Sequence, residues 1–538
     1  MKPKAKGAIV SNGEECAKIG ADILKLGGNV VDAGISTLIC DGVTNPQSGG
    51  LGGGMLATLY LKNKKLITSL DAREVAPKSA SENMYNEDYT KSLKGGLAVA
   101  VPGELLGMNE MHKKYGNLEW EKLFKPVIEL CQKGHTMTEN LHLMLTLNID
   151  MITRNPSFNG IFINQKTGKL YEVGEKIIRK DLAKTLKIIA AEKSQAMYGE
   201  NGSIMRELVK EINQHGGNIT EEDFKNYKVK WRKPLQTSLK SGETIYTAPL
   251  PGSGQTLIYI LNLLKKFSIK EDTLSKHIII ETYKNAFSRR SLLGDQEFYM
   301  PAGNTQNYMI SEEYAEVMRR HIDEKTTHSI NYYGYKISNV KSKGTMHVSI
   351  LSEDGDAISI TSSINDLFGA KILSNTGIVL NSQMNDFSIP GTANMYGLPP
   401  SIANIIKPGK RPLSSMSPTI ILKKNKEVSM VIGAAGGSKI PTVVAKIILD
   451  MYLNENKDSL ENVIKKKRFH HQLVPNKIYF ENGFDKQIIK ELNNTFNHEY
   501  EIIQEKFRFG GVCSIFVDED NNIEASYDPR RGGSRQYL

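Results

Sequence analysis

Three things are scarce in this 538-residue chain: long apolar runs, cysteine, and charge of one sign gathered in one place. No stretch approaches the ~18 apolar residues that a membrane-spanning helix needs. The first residues, Met1-Lys2-Pro3-Lys4-Ala5-Lys6, have no apolar run of signal-peptide type behind their charges, so the sequence as written reads as a soluble chain. Four cysteines are too few for a disulfide scaffold. None stands in a CxxC pair, so a structural zinc site is not expected. The net charge of +10 is spread along the chain, apart from a short cluster at Lys465, Lys466, Lys467 and Arg468. A solvated basic surface accounts for it, and no nucleic-acid partner is expected.

What is present is the composition of a folded protein, 40% hydrophobic and 24% charged, without a disordered or low-complexity segment. The length allows three or four domains of about 150 residues, or one continuous α/β core. Cys16, Ile19, Ile23 and Leu24 repeat at helical spacing and stop at Gly27-Gly28, a natural helix end. A second helix, apolar nearly all round, is predicted from Val30 to about Cys40. Cys16 and Cys40 fall on these two helices, where they form either a bridge or two separate core cysteines; Cys131 and Cys513 read as lone buried thiols. The glycine-dense stretch from Ser48 to Gly54 then feeds a strand through Leu56 to Leu61. So many glycines imply either close backbone approach to a ligand or a tight turn against a core helix. From about residue 105 to 335 the pattern is of amphipathic helices separated by polar turns, a scaffold. Short alternating strands begin after Lys343-Gly344.

Two of the later segments carry chemistry. Between Thr345 and Ile350, Thr345, His347 and Ser349 share one face and Met346, Val348 and Ile350 the other. A second alternating run spans Ala357 to Ser363. Pairing Ile350 with Ile358 and Val348 with Ile360 places Thr345 opposite Ser363 and leaves Glu353-Asp354-Gly355 as a three-residue loop ending in glycine. The hydroxyl-lined face is then either the polar outside of an edge hairpin or part of a site. The second segment is an alternating strand from Val428 to Ile432, followed by Gly433-Ala434-Ala435-Gly436-Gly437-Ser438 and a helical pattern from Pro441 to about Leu453. Free N–H groups at such a strand-to-helix turn suit a phosphate or a developing oxyanion. Neither the dinucleotide fingerprint nor the GK[ST] ending is present, so an oxyanion hole is favoured over a phosphate cradle, with a purely structural turn as the third reading.

Together these segments resemble the γ-glutamyltransferase family over nearly the whole chain. The ordered motifs are Ser48 to Met55, Asp71-Ala72-Arg73-Glu74-Val75-Ala76-Pro77, Ala98 to Glu104, Gly344-Thr345-Met346-His347, Pro412-Leu413-Ser414-Ser415-Met416 and Gly433 to Gly437, with Asp528-Pro529-Arg530-Arg531-Gly532-Gly533 near the end. The resemblance implies an α/β N-terminal nucleophile hydrolase, a four-layer αββα sandwich with two stacked, mainly antiparallel sheets. It also implies a precursor that cuts itself between Gly344 and Thr345, giving a large subunit 1–344 and a small catalytic subunit 345–538. The liberated α-amine, with an ordinary pKa of about 7.7 to 8.0, would then activate the hydroxyl of the same residue.

By family position, Thr345 is the nucleophile beside Ser363, and Gly436 and Gly437 form the oxyanion hole. Arg73, Ser414 and Ser415 receive the α-carboxylate of the γ-glutamyl head, and Asp386 with Asn365 and Gln383 receives its ammonium. Substrates are glutathione, its conjugates, and water or amino acid and dipeptide acceptors; no cofactor or metal is implied. Ser363 stands where many members have threonine and Gln383 where some have glutamate. Leu367 stands where tyrosine is frequent in a loop over the donor site, which predicts a looser lid and more hydrolysis. The family is usually secreted or anchored outside the cell by an N-terminal segment missing from this sequence, so an extracellular location is expected. The Cys16 and Cys40 spacing resembles a disulfide of eukaryotic members, and sequons at Asn201, Asn218 and Asn493 suit a secreted glycoprotein, although such triplets arise often by chance. Two other readings are a related acylase, disfavoured by Arg73 and Asp386, and a catalytically silent secreted paralogue, disfavoured by the intact Thr345 and its glycine pair.

Overall fold

The protein is described by a computed structural model covering residues 5–86, 88–334, 344–389, 400–453, 458–504 and 509–538. Two antiparallel sheets stack face to face. The first runs in the order Ser534–Tyr537, Ala8–Ser11, Gly344–Leu351, Ala357–Asn365, Gly54–Leu61, Leu66–Ala72, Lys230–Arg232. The second runs Ile523–Tyr527, Gly511–Val517, Val428–Ala435, Thr419–Leu422, Thr244–Thr247, Leu235–Ser238. Each sheet takes strands from both sides of the Gly344–Thr345 bond.

The hairpin pairs in the expected register, with Ile350 opposite Ile358, Val348 opposite Ile360 and Thr345 opposite Ser363. Its loop closes at Gly355, whose φ of 84° is the left-handed conformation that favours glycine. Of the two readings of the hydroxyl face, the edge hairpin is excluded, because these strands are third and fourth of seven. Met346, Val348, Ile350, Ile358 and Ile360 pack into the core shared with the helix Val30–Thr44, each worth roughly 1.5–3 kcal/mol of burial. The opposite, polar face meets the second sheet. Ser349 donates to Cys513 O at 3.0 Å, and Ser359 donates to Ile432 O at 3.0 Å. His347 lies between Thr361 and Ser349, over Gly433, where a Cβ would sit 2.1 Å from the imidazole. Burial pulls this histidine down to about 3, so it is a neutral spacer between sheets.

Helices complete the four layers. Val30–Thr44 covers the first sheet; its start is set by Asn29, whose side chain accepts from Val31 and Asp32 while Asp32 accepts from the Asn29 backbone. It runs four residues past the expected end, stopping at Asn45 because the residue before Pro46 disfavours helical backbone. Gly254–Leu264, Thr273–Arg290 and Ile440–Tyr452 share the core behind the second sheet with Ile421, Met430 and Ile432. Cys16 and Cys40 are bridged, with Cα atoms 5.4 Å apart, and join the first two helices. Cys131 and Cys513 are buried thiols.

The glycine stretch is a packing device. A Cβ on Gly42 would meet Gly50 Cα at 2.8 Å, one on Gly49 would meet Met346, and one on Gly53 would meet Ser363 O at 2.3 Å. The expectation of a purely helical scaffold between residues 105 and 335 is also corrected. Lys230–Arg232, Leu235–Ser238 and Thr244–Thr247 are strands at or near the edges of both sheets, too short to leave a readable alternation. The basic cluster divides as well: Lys465 and Lys467 are exposed, while Arg468 is buried against Asp528 at 2.6 Å.

Candidate active site

The first strand residue, Gly344, pairs with Asn365, and the next, Thr345, with Ser363, so the register slips at the bond between Gly344 and Thr345. Only glycine fits before that slip, because a Cβ on Gly344 would lie 2.5 Å from Asp366 O. Thr345 is 2% exposed. Its hydroxyl is 3.3 Å from Ser363 Oγ, and Ser363 in turn donates to Gly344 O at 2.6 Å. Since the Ser363 proton is committed to that carbonyl, Thr345 is the donor in the pair. The Thr345 carbonyl accepts from Arg531 Nη1 at 3.0 Å.

Facing this hairpin end is a narrow cleft. Thr345, Ser363 and Gly437 line it together with Arg73, Asp386, Ser414 and Ser415. Arg73, fully buried at the end of the Leu66–Ala72 strand, donates from Nη2 to Asp386 Oδ2 at 2.5 Å, from Nε to Pro412 O at 3.2 Å and from Nη1 to Glu74 Oε2 at 3.4 Å. Burial raises the Asp386 carboxyl above the usual range, an effect opposed by Arg73. Burial likewise lifts Glu74 to about 7, again opposed by Arg73. The wall thus offers a guanidinium and a carboxylate side by side, as a group carrying both an anion and a cation requires.

Gln383 and Asn365 stand behind that wall, outside the cleft lining. Gln383 Nε2 donates to Asp386 Oδ2 at 2.6 Å, while Asn365 donates from its side chain to Ser382 O at 2.8 Å and from its backbone to Ser363 Oγ at 3.0 Å. Leu367 is also outside the lining, half-buried against a cluster containing Phe158, Phe162 and Phe368. At the other end, the Val428–Ala435 strand turns through Gly436 and Gly437, with φ of 138° and 62°, into the helix Ile440–Tyr452. Gly436 presses on Gly510, where a Cβ would approach to 2.5 Å.

Sequence reasoning missed Arg290. It ends the Thr273–Arg290 helix, lines the cleft, and donates from Nη2 to Ser415 Oγ at 2.9 Å and from Nε to Ser253 Oγ at 3.3 Å. The pair Arg289-Arg290 was the available signal, but nothing in the sequence says which of two adjacent arginines turns inward.

The Gamma-glutamyltranspeptidase family model matches residues 16–538. The chain belongs to that family. It is 36% identical over 540 residues to Scoloptoxin SSD14 of Scolopendra dehaani, covering 98% of this chain and 92% of that protein. It is 38% identical over 521 residues to Glutathione hydrolase proenzyme 1 of Schizosaccharomyces pombe, covering 95% of this chain and 81% of the relative. Among solved structures, the γ-glutamyltranspeptidase of Helicobacter pylori superposes with a TM-score of 0.55 at 30% identity, over 59% of this chain and 91% of that one. The cephalosporin acylase of Bacillus halodurans gives 0.85 at 22% identity over 99% and 96%, a likeness of fold alone. The architecture of this γ-glutamyltranspeptidase-family chain is the N-terminal nucleophile hydrolase sandwich.

Proposed function

We propose that this chain is a γ-glutamyltransferase and glutathione hydrolase whose nucleophile, Thr345, is released by self-cleavage. The observation that carries the reading is the cleft itself. It gathers a threonine hydroxyl, one hydroxyl removed from the carbonyl of the preceding bond, into one cleft with an Arg73–Asp386 pair suited to an amino-acid head.

In the uncut chain Thr345 Oγ attacks the Gly344 carbonyl carbon. A C–O bond forms, the C–N bond breaks, and the hydroxyl proton passes to the departing nitrogen. Water then cleaves the ester, leaving a Gly344 carboxylate and a Thr345 with free amine and hydroxyl. Ser363, donating to Gly344 O, supports the first step by polarising the carbonyl. In the mature site the amine takes the proton from Oγ as it attacks the γ-carbonyl of the donor. N–H groups of Gly436 and Gly437 hold the oxyanion, and losing one such donor typically costs about 2.7–4 kcal/mol. Cys-Gly departs from glutathione, and water or the amine of an amino acid or dipeptide takes the acyl group. Arg73, Ser414 and Ser415 receive the α-carboxylate, and Asp386 receives the ammonium, with Gln383 and Asn365 holding Asp386 and Ser363 in place.

The 344- and 194-residue pieces of the 538-residue chain then act as large and small subunits. A denaturing gel of purified protein beside Thr345→Ala tests the scheme. Two bands from the wild type and one from the variant are expected, with γ-glutamyl release from the wild type only; an unbroken yet fully active chain overturns it.

An extracellular location is part of the proposal, supported by the Cys16–Cys40 bridge and by the exposure of Asn201, Asn218 and Asn493. A fall in mass on enzymatic deglycosylation of protein from its native source checks this; unchanged mass counts against glycosylation.

A further inference from the structure

The Gly436-Gly437 turn has no side chain of its own to fix it, and φ values of 138° and 62° leave it outside both strand and helix geometry. Its first side-chain anchor is Ser438, buried, whose hydroxyl donates to Gln472 Oε1 at 2.7 Å. Gln472 is itself held, donating from Nε2 to Val474 O at 3.1 Å. The same Oε1 lies 3.2 Å from His470 Nε2, and His470 Nδ1 lies 2.9 Å from Thr442 Oγ1, in the first turn of the Ile440–Tyr452 helix. Burial keeps His470 neutral. Thr442 commits its hydroxyl proton to Lys439 O at 2.9 Å and so accepts from His470 Nδ1; the hydrogen bond that ties the turn to the Gln472 amide oxygen is the one from Ser438. From the other side Gly510, which accepts from Arg468 Nη1 at 2.8 Å, props Gly436.

We propose that Gln472 is a positioning residue for the oxyanion turn: by accepting from Ser438 it holds the Gly437 N–H toward the carbon that Thr345 attacks. The inference rests on the function proposed above and adds to it a residue that touches neither substrate nor nucleophile. Oxyanion donors act only when placed to within about half an ångström. Loosening the turn therefore weakens binding of the tetrahedral oxyanion and leaves the ground state, held by Arg73 and Asp386, unaltered.

The test compares wild type, Gln472→Met, Gln472→Glu, Ser438→Ala and the double variant Gln472→Met/Ser438→Ala, each checked for self-cleavage and melting temperature. Gln472→Met is expected to lower kcat about 10- to 100-fold, short of the loss of a donor itself, with KM for the donor unchanged. A γ-glutamyl-like boronate, which becomes tetrahedral on Thr345, should lose affinity in proportion to kcat, while L-glutamate as a ground-state competitor should not. Gln472→Glu keeps the acceptor oxygen but loses the Nε2 donor to Val474 O, so it should recover only part of the rate lost in Gln472→Met. Ser438→Ala should reproduce the kcat loss, and the double variant should be no worse than the worse single one. If Gln472→Met does not fold, Ser438→Ala with the boronate decides alone. Unchanged kcat, a loss confined to KM, equal losses of boronate and glutamate affinity, or additive losses in the double variant overturn the inference. A wild type that releases no γ-glutamyl group overturns the functional reading instead.

Discussion

Thr345, Ser363 and the Gly344 carbonyl form a short relay whose directions follow from which oxygen can give a proton. Arg73 is a different kind of residue: a buried cation shared between Asp386, Glu74 and the Pro412 carbonyl, in which the planar fork serves several acceptors at once. Arg73→Lys keeps the charge and loses the fork. We expect it to raise KM for the donor by about 10- to 100-fold, the scale of one charged hydrogen bond of ~1.5–3 kcal/mol, with a smaller effect on kcat; steady-state kinetics on a γ-glutamyl anilide decide, and an unchanged KM removes Arg73 from the donor head. At this scale motif reading reached far, because Arg73, Thr345, Asp386, Ser414 and Ser415, scattered over more than three hundred positions, line one cleft. It stopped at Arg290, which bears no local mark, and at Arg531, whose contact with the Thr345 carbonyl exists only once the last strands close on the first sheet.

Among elements, the hairpin was the most legible, since pairing apolar with apolar leaves one register and the three-residue loop needs its glycine where Gly355 stands. The glycine turn after Val428–Ala435 was legible as a turn, but the reason for Gly436 was not. A backbone 2.5 Å from its missing Cβ, contributed by Gly510, is remote in sequence. With φ at 138° as well, Gly436→Ala is expected to cost roughly 1–3 kcal/mol of strain, spent on displacing the turn. Its kcat should fall at least tenfold while Arg73-side binding of L-glutamate persists, as competition measurements would show; full activity would mean that the turn carries no oxyanion donor. The strands between residues 230 and 247 were illegible for the opposite reason: three or four residues give too short a pattern for either period to emerge.

The molecule as a whole buries carboxyl groups away from the cleft too. Burial lifts Glu104 to about 8, opposed by the Ser362 hydroxyl, and Asp41 to about 7, opposed by Ser11. Such groups hold a proton in the folded state that the unfolded chain has already released. Their contribution is therefore fully present below the unfolded carboxylate pKa and is lost as pH rises through the folded values near 7 and 8. Each lowers stability by up to about 1.4 kcal/mol per pH unit across that window. Glu104→Gln keeps a partner for Ser362 and removes one titration, so its melting temperature should fall less than that of the wild type between pH 5.5 and 7.5. Parallel curves would show that Glu104 is ionised throughout. Because both sheets combine strands from before and after the Gly344–Thr345 bond, cutting that bond separates no layer from another.

The sequence by itself determined the periodic elements, the hairpin register and the family to which the chain belongs, because each of these is written in residues close together or in ordered motifs. Tertiary structure alone decided that the hydroxyl face lies between two sheets, that Gln383 and Asn365 stand behind the cleft wall, and that Arg290 completes it. The reason is physical: periodicity records which side of an element is apolar, whereas what that side meets depends on strands hundreds of residues away being brought into hydrogen-bonding distance.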